Sequence, residues 1–123
     1  MVPGDLRYTK DHEWVRIDGD EAVVGITQFA ADQLGDIVFV ELPAAGSSLE
    51  AHGTFGVVES VKAVSDLFAP LTGSVSATND GLAGSPEQVN SDPYGEGWMI
   101  KIEIKGSADG LLSASQYKEL IGK

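Results

Sequence analysis

Phe55-Gly56-Val57-Val58-Glu59-Ser60-Val61-Lys62-Ala63-Val64-Ser65-Asp66-Leu67-Phe68-Ala69-Pro70 is the stretch on which the fold turns. Phe55–Ser60 reads as one strand and Ala63–Phe68 as another that runs out at Pro70, which leaves Lys62 at the tip of the joining hairpin. On the N-terminal side, Ile37–Leu42 is a buried strand ended by Pro43; on the C-terminal side, Gly73–Thr78 is one more. A faint internal repeat flanks Lys62: Val38-Phe39-Val40, a loop with Leu49, then Gly53–Glu59 resembles Ser74-Val75-Ser76, a loop with Val89, then Gly97–Glu103. Strand-loop-strand is common in any β protein, so the repeat is weak by itself. It suggests two similar units meeting at the Lys62 turn.

Farther out, Glu13–Ile17 and Ala22–Ile26 alternate around Asp18-Gly19-Asp20, which is a hairpin signal. Thr27 offers an N-cap to a short helix, Gln28–Leu34, with Gly35 as its stop. Loop residues dominate from Asn79 to Gly97, Trp98–Ile104 makes a last strand, and Ser113–Ile121 forms a terminal helix capped by Ser113 or Ser115 with Tyr117 and Leu120 inward. Many short strands between turn residues predict a mainly β sandwich or small barrel.

At 123 residues the chain is expected to form a single domain over 1–123. The net charge of −11 speaks against nucleic acid and anionic membrane surfaces, both of which need a cationic face. No apolar run approaches the ~18–20 residues of a membrane span. The first ten residues have neither the basic start and apolar stretch of a signal peptide nor an Arg/Ser-rich composition, so the expectation is a cytoplasmic bacterial protein, or a mitochondrial one in a mature eukaryotic form. Without cysteine, any sulfur redox chemistry must be brought in.

The charge distribution narrows the function. Between Arg16 and Lys101 the only Lys or Arg is Lys62, where an even spread would place about five or six, and the same stretch carries thirteen Asp and Glu. A lone lysine is usually a solvated charge. A single amine on a long acidic segment is also what a site-specific modifying enzyme needs. His12 and His52 have no ligand spacing, so no metal site is expected. No phosphate loop and no Gly-x-Ser-x-Gly elbow occurs, and the carboxylates read as solvated strand faces. Nothing assembles a catalytic constellation, which favours a carrier over an enzyme.

At Glu59-Ser60-Val61-Lys62-Ala63-Val64-Ser65-Asp66-Leu67-Phe68-Ala69-Pro70 the chain resembles the lipoyl-lysine motif of the glycine cleavage system H proteins. Three further blocks match in order: Tyr8–Trp14; Val24–Thr27 with Leu34–Pro43; and Val89-Asn90-Ser91-Asp92-Pro93-Tyr94-Gly95-Glu96-Gly97-Trp98. The resemblance implies a barrel-sandwich hybrid of the lipoyl/biotinyl type, two antiparallel sheets with a short internal helix and a C-terminal helix. It implies lipoate covalently on Lys62, on an arm reaching on the order of 14 Å. The implied partners are a pyridoxal-phosphate glycine decarboxylase that loads an aminomethyl group, a tetrahydrofolate-dependent aminomethyltransferase that removes it, dihydrolipoyl dehydrogenase, and a lipoylating enzyme.

Glu59 and Asp66 flank the tip and are expected to serve recognition by the lipoylating enzyme. Glu13 is expected to border a cleft that shelters the loaded arm, with Asp11 and Asp66 as neighbours and Trp14 as a wall. The alternative for Glu13 is an ordinary outward residue on an alternating strand. Relatives often carry a small hydroxyl residue where Asp11 stands and sometimes His where Gln33 stands. A biotin carrier would share the fold but expects Met on both sides of the lysine, where Val61 and Ala63 stand. A lipoate relay handing lipoyl groups to other enzymes' subunits would use the same lysine and fold. A purely structural β module would need no singled-out lysine.

Overall fold

Alternating strands that each bury one face need a second layer, and here two antiparallel sheets supply it for each other. The computed structural model describes residues 2–106 and 110–122. In chain order the elements are β1 (Arg7–Tyr8), β2 (Glu13–Asp18), β3 (Glu21–Ile26), α1 (Gln28–Leu34), β4 (Ile37–Glu41), β5 (Ser48–Leu49), β6 (Thr54–Ser60) and β7 (Val64–Phe68). After these come β8 (Gly73–Thr78), α2 (Gly81–Gly84), α3 (Gln88–Ser91), β9 (Ile100–Ile104) and α4 (Ala114–Leu120). One sheet runs β1-β2-β3-β9-β8-β5 and the other β4-β6-β7. They lie as a sandwich and do not close into a barrel.

The core between them takes Val15, Val24, Val75 and Ile102 from the larger sheet and Val40, Val58 and Leu67 from the smaller, all in one buried cluster. Full burial of side chains of this size is worth roughly 1.5–3 kcal/mol each, so this layer carries the fold. The two halves of the sequence repeat form one strand pair in each sheet, β4 with β6 and β8 with β9.

A second cluster, Leu6, Tyr8, Trp14 and Tyr117, lies apart from that core. It docks the C-terminal helix: Tyr117 stacks on Tyr8 with ring centroids 4.7 Å apart. Ser113 is the N-cap, in a capping box with Gln116, and Ser115 falls inside the helix. Ala114, Tyr117 and Ile121 face the cluster, which leaves Leu120 on the flank of the helix at 51% exposure, not inward. At about 100° per residue Leu120 lies roughly 60° around the helix from Tyr117 and roughly 100° from Ile121, off the line that meets the cluster.

The segment between β8 and β9 is more structured than a loop reading allows. It holds α2 and α3, whose Leu82 and Val89 are buried in the main core. Trp98 and Met99 precede β9, because their carbonyls are taken by the Asn79 side chain and backbone, not by a neighbouring strand. The two-residue strands β1 and β5 are also too short to announce themselves in sequence.

Candidate functional site

Ser60 builds the hairpin tip. Its backbone N–H donates to the Ala63 carbonyl at 2.8 Å, closing a loop of two residues, Val61 and Lys62. Its hydroxyl accepts the N–H groups of Lys62 (3.3 Å) and Ala63 (3.0 Å). Two-residue hairpins usually rely on residues with positive φ, and neither Val61 nor Lys62 has it; a serine at the turn's first position satisfies the inner N–H groups instead. Lys62 is exposed, and its amine makes no ion pair among the described residues. The lysine stem passes over Gly35 at the end of α1, where a β-carbon would stand 3.5 Å from Cε.

Glu59 pairs with Phe39 and with Val64, while Asp66 pairs with Val57. Directly paired residues share a face and alternate residues return to it, so Glu59 and Asp66 lie diagonally on one face, roughly 7–8 Å apart between backbones. They accompany an exposed apolar group around the tip: Phe39, Val61 and Val64.

A cleft of about 310 Å³ opens beside the hairpin, and it brings together Asp11, Glu13 and Asp66. Phe29, Gln33 and Leu34 of α1 form one wall, Val58, Ser65 and Leu67 another. Asp66 lies about 10–13 Å along β7 from Lys62 at ~3.3 Å per residue, which is within the expected reach of the arm. Glu59 is not among the lining residues. Trp14 does not wall the cleft either. Neighbouring residues of a strand point to opposite faces, so with Glu13 in the cleft Trp14 faces the other way. There its ring covers Gly25, where a β-carbon would fall 2.7 Å from Nε1, and its Nε1–H donates to the Pro93 carbonyl at 2.8 Å. The aromatic wall is Phe29 with His12, ring centroids 5.1 Å apart.

Glu13 is 2% exposed, so it is not an outward strand residue. Its carboxyl has two partners: the Thr9 hydroxyl donates to Oε1 at 2.6 Å, and the Phe68 N–H reaches Oε2 at 3.5 Å. Burial disfavours the charged form and pushes the pKa up to about 8, assisted by the nearby Asp11 and opposed by the Thr9 hydrogen bond. The floor of the cleft is thus a carboxylic acid that is neutral at pH 7. His12 beside it is also held neutral, its pKa lowered by burial against the opposing pull of Asp11.

Several residues here escaped sequence reading. Thr9 organises the turn before β2: besides donating to Glu13, its hydroxyl accepts the N–H groups of Asp11 and Glu13 at 3.2 Å each. A threonine just before a polar turn was the available signal. His12 takes the left-handed conformation at φ 70, which costs a non-glycine residue roughly 1–2 kcal/mol. The Tyr117 hydroxyl fixes it, 2.8 Å from Nδ1 and 2.7 Å from the Thr27 hydroxyl that caps α1. The cleft is therefore braced from the far end of the chain.

The chain matches the family model described as "Glycine cleavage H-protein" over residues 6–123. It is 55% identical over 122 residues to the "Glycine cleavage system H protein" of Nitratidesulfovibrio vulgaris, covering 99% of this chain and 96% of that one. It is 62% identical over 118 residues to the protein of the same name from Magnetococcus marinus, covering 94% and 84%. The crystal structure of a glycine cleavage system H protein from Mycobacterium marinum superimposes with a TM-score of 0.92 at 42% identity, over 99% of this chain and all of that one.

The buried acid has a measurable signature. In the unfolded chain Glu13 should titrate near 4.5 and in the native state near 8, so between these values only the native state holds the proton. Its contribution to stability is full below pH 4.5 and is lost as pH rises through 8. Each pH unit in that window is worth about 1.4 kcal/mol. Urea unfolding should therefore show wild type losing on the order of 2–4 kcal/mol relative to Glu13→Gln between pH 5 and pH 9. A constant difference between the two proteins across that range would place the Glu13 carboxyl in water.

Proposed function

The chain belongs to the glycine cleavage H-protein family, lipoyl carriers rather than catalysts, and on that premise we propose that it carries an aminomethyl group on a lipoyl-lysine arm at Lys62. The group comes from glycine through the pyridoxal-phosphate decarboxylase and goes to the tetrahydrofolate-dependent aminomethyltransferase, with dihydrolipoyl dehydrogenase resetting the arm. The observation that carries this reading is the pairing of an exposed amine at a two-residue tip with a cleft floored by a buried acid. In this reading residues 1–123 act as one carrier domain in the cytoplasm.

The residues fit the group. Lys62 is free to be acylated, and among the described residues the tip around it is held by the Ser60 hydroxyl and by backbone hydrogen bonds. A lipoyl group there would supply the dithiolane sulfur that the cysteine-free chain lacks. Phe29, Leu34 and Val58 offer apolar walls to a hydrocarbon arm and exclude water from its end. Glu13 responds to charge. Neutral when the cleft is empty, its carboxyl ionises when a cationic amine comes within ~4–6 Å, and its proton leaves for solvent. Asp11 and Asp66 stand at the rim to draw that cation inward. An uncharged arm has no use for this carboxylate and stays mobile. A tethered cargo is kept at high effective concentration for each partner in turn.

Glu59 and Asp66, on the face that also shows Phe39 and Val64, are the features a lipoylating enzyme would read. Both stand on the hairpin that carries the lysine, and neither belongs to the core clusters.

Three outcomes test this reading. Lys62→Arg should unfold within about 0.5 kcal/mol of wild type, keep the mass of the unmodified chain, and lose glycine cleavage in an assay reconstituted with the three partner enzymes. Retained cleavage by that variant would remove Lys62 from the mechanism, and a wild type inert there but able to pass lipoyl groups on would be a relay. For Glu59→Gln, the rate of lipoylation should fall several-fold at an unchanged melting temperature. An unchanged rate would mean that lysine position alone suffices. Finally, with no partner enzyme present, the aminomethyl-loaded protein should lose its cargo faster as Glu13→Ala than as wild type; equal half-lives would reduce the cleft to surface shape.

A further inference from the structure

Lys62 is presented by a two-residue loop, yet what holds that loop against the rest of the molecule lies elsewhere in the chain. Beyond the Ile37↔Ser60 pair, the last rung between the hairpin and its neighbour is the Val61 N–H donating to the Asp36 carbonyl at 3.1 Å. On the other side of Ile37 the β4–β6 register is interrupted by a bulge before Phe39. The rung at the tip is therefore cut off from the regular ladder, and Asp36 needs its own support to keep its carbonyl aimed at Val61.

Asn90 provides it. Its Nδ2 donates to the Gly35 carbonyl at 2.9 Å, and its Oδ1 accepts the Ile37 N–H at 2.8 Å. One carboxamide thus spans the two peptide groups that flank Asp36, as a neighbouring strand would. Asn90 itself is anchored: it sits on α3 beside Val89, which is fully buried in the core. Gly35 completes the arrangement. Its backbone at φ 84 is the left-handed conformation that favours glycine, and the Lys62 methylenes lie against it.

We propose that Asn90 is a positioning residue for Lys62: by clamping Gly35 and Ile37 it fixes Asp36, and through the Asp36–Val61 hydrogen bond it fixes the height and direction of the hairpin tip. This rests on the reading of Lys62 as the modified lysine. An enzyme that acylates one amine needs that amine within a fraction of an ångström of its reacting carbon, and loss of that placement costs rate even where binding is intact. The role lies 28 residues from the lysine in sequence.

The test uses full-length unmodified protein. Amide exchange and ¹⁵N order parameters are measured for Val61 and Lys62, with amides of β8 and β9 as internal controls, and the lipoylation rate is measured with a lipoylating enzyme, lipoate and ATP. In Asn90→Ala, Val61 protection should fall about tenfold while β8 and β9 are unchanged, and lipoylation should lose about tenfold in kcat with little change in KM. Asn90→Asp keeps the acceptor for Ile37 and loses the donor to Gly35, so it should fall between; it also serves if Asn90→Ala does not fold. A wild-type lipoylation rate in the variants overturns the proposal, whether or not Val61 protection is lost. So does a loss of rate that is matched by equal loss of protection in β8 and β9, which would mark Asn90 as general support. If wild type itself takes no lipoyl group at Lys62, the functional reading fails, and unchanged Val61 exchange in Asn90→Ala then overturns the clamp independently.

Discussion

The register of β6 between β4 and β7 is the constraint on which the other features depend. Val58, 1% exposed, pairs with Val40 on one side and Ser65 on the other. A slip of one residue would turn Val58 to solvent and bring Glu59 into the core, at the cost of a buried unpaired carboxylate. With the register held, Ser60 and Ala63 must close the loop, Lys62 must stand at its end, and Ser65 and Leu67 must face the cleft. Core packing is thus what positions an amine that itself touches almost nothing.

The cleft works by the opposite logic to the surface around it. Outside, the protein is strongly acidic and its carboxylates are solvated. Inside, one carboxyl is kept from water at Glu13 and stays protonated, because one short hydrogen bond from Thr9 and one long one from Phe68 do not repay its desolvation. Burying the neutral acid costs less than burying its anion, and in the proposed reading it becomes a counter-ion only when a cation is delivered. A permanently ionised carboxylate at that depth would have been costly to fold around.

Support for both parts of the site comes from distant segments. Tyr117 near the C-terminus steadies His12 and the cap of α1, and Asn90 steadies the start of β4 under the hairpin tip. These are polar side chains bonding to backbone and to one another across the fold. Each repays burial only when its partner is in place, so each ties a local conformation to the finished tertiary structure.

Sequence alone determined the strand sequence β2, β3, β4, β6, β7, β8 and β9, the helices α1 and α4, and Lys62 at a turn, because period-two alternation, capping serine and threonine, and turn residues are local signals. It also set Lys62 apart, since the absence of other cations over a long acidic stretch is visible without coordinates. Placing Asp11, Glu13 and Asp66 around one cleft needed the resemblance to a family; nothing in their spacing does it. Only the tertiary structure decided that Trp14 turns away from that cleft onto Gly25, that Leu120 faces outward, and that α2 and α3 bury Leu82 and Val89 where the residues read as loop. The same is true of Thr9, Tyr117 and Asn90. A hydrogen bond between residues 53 or 105 positions apart leaves no periodic trace in the chain, since its energy exists only after packing has brought the two ends together.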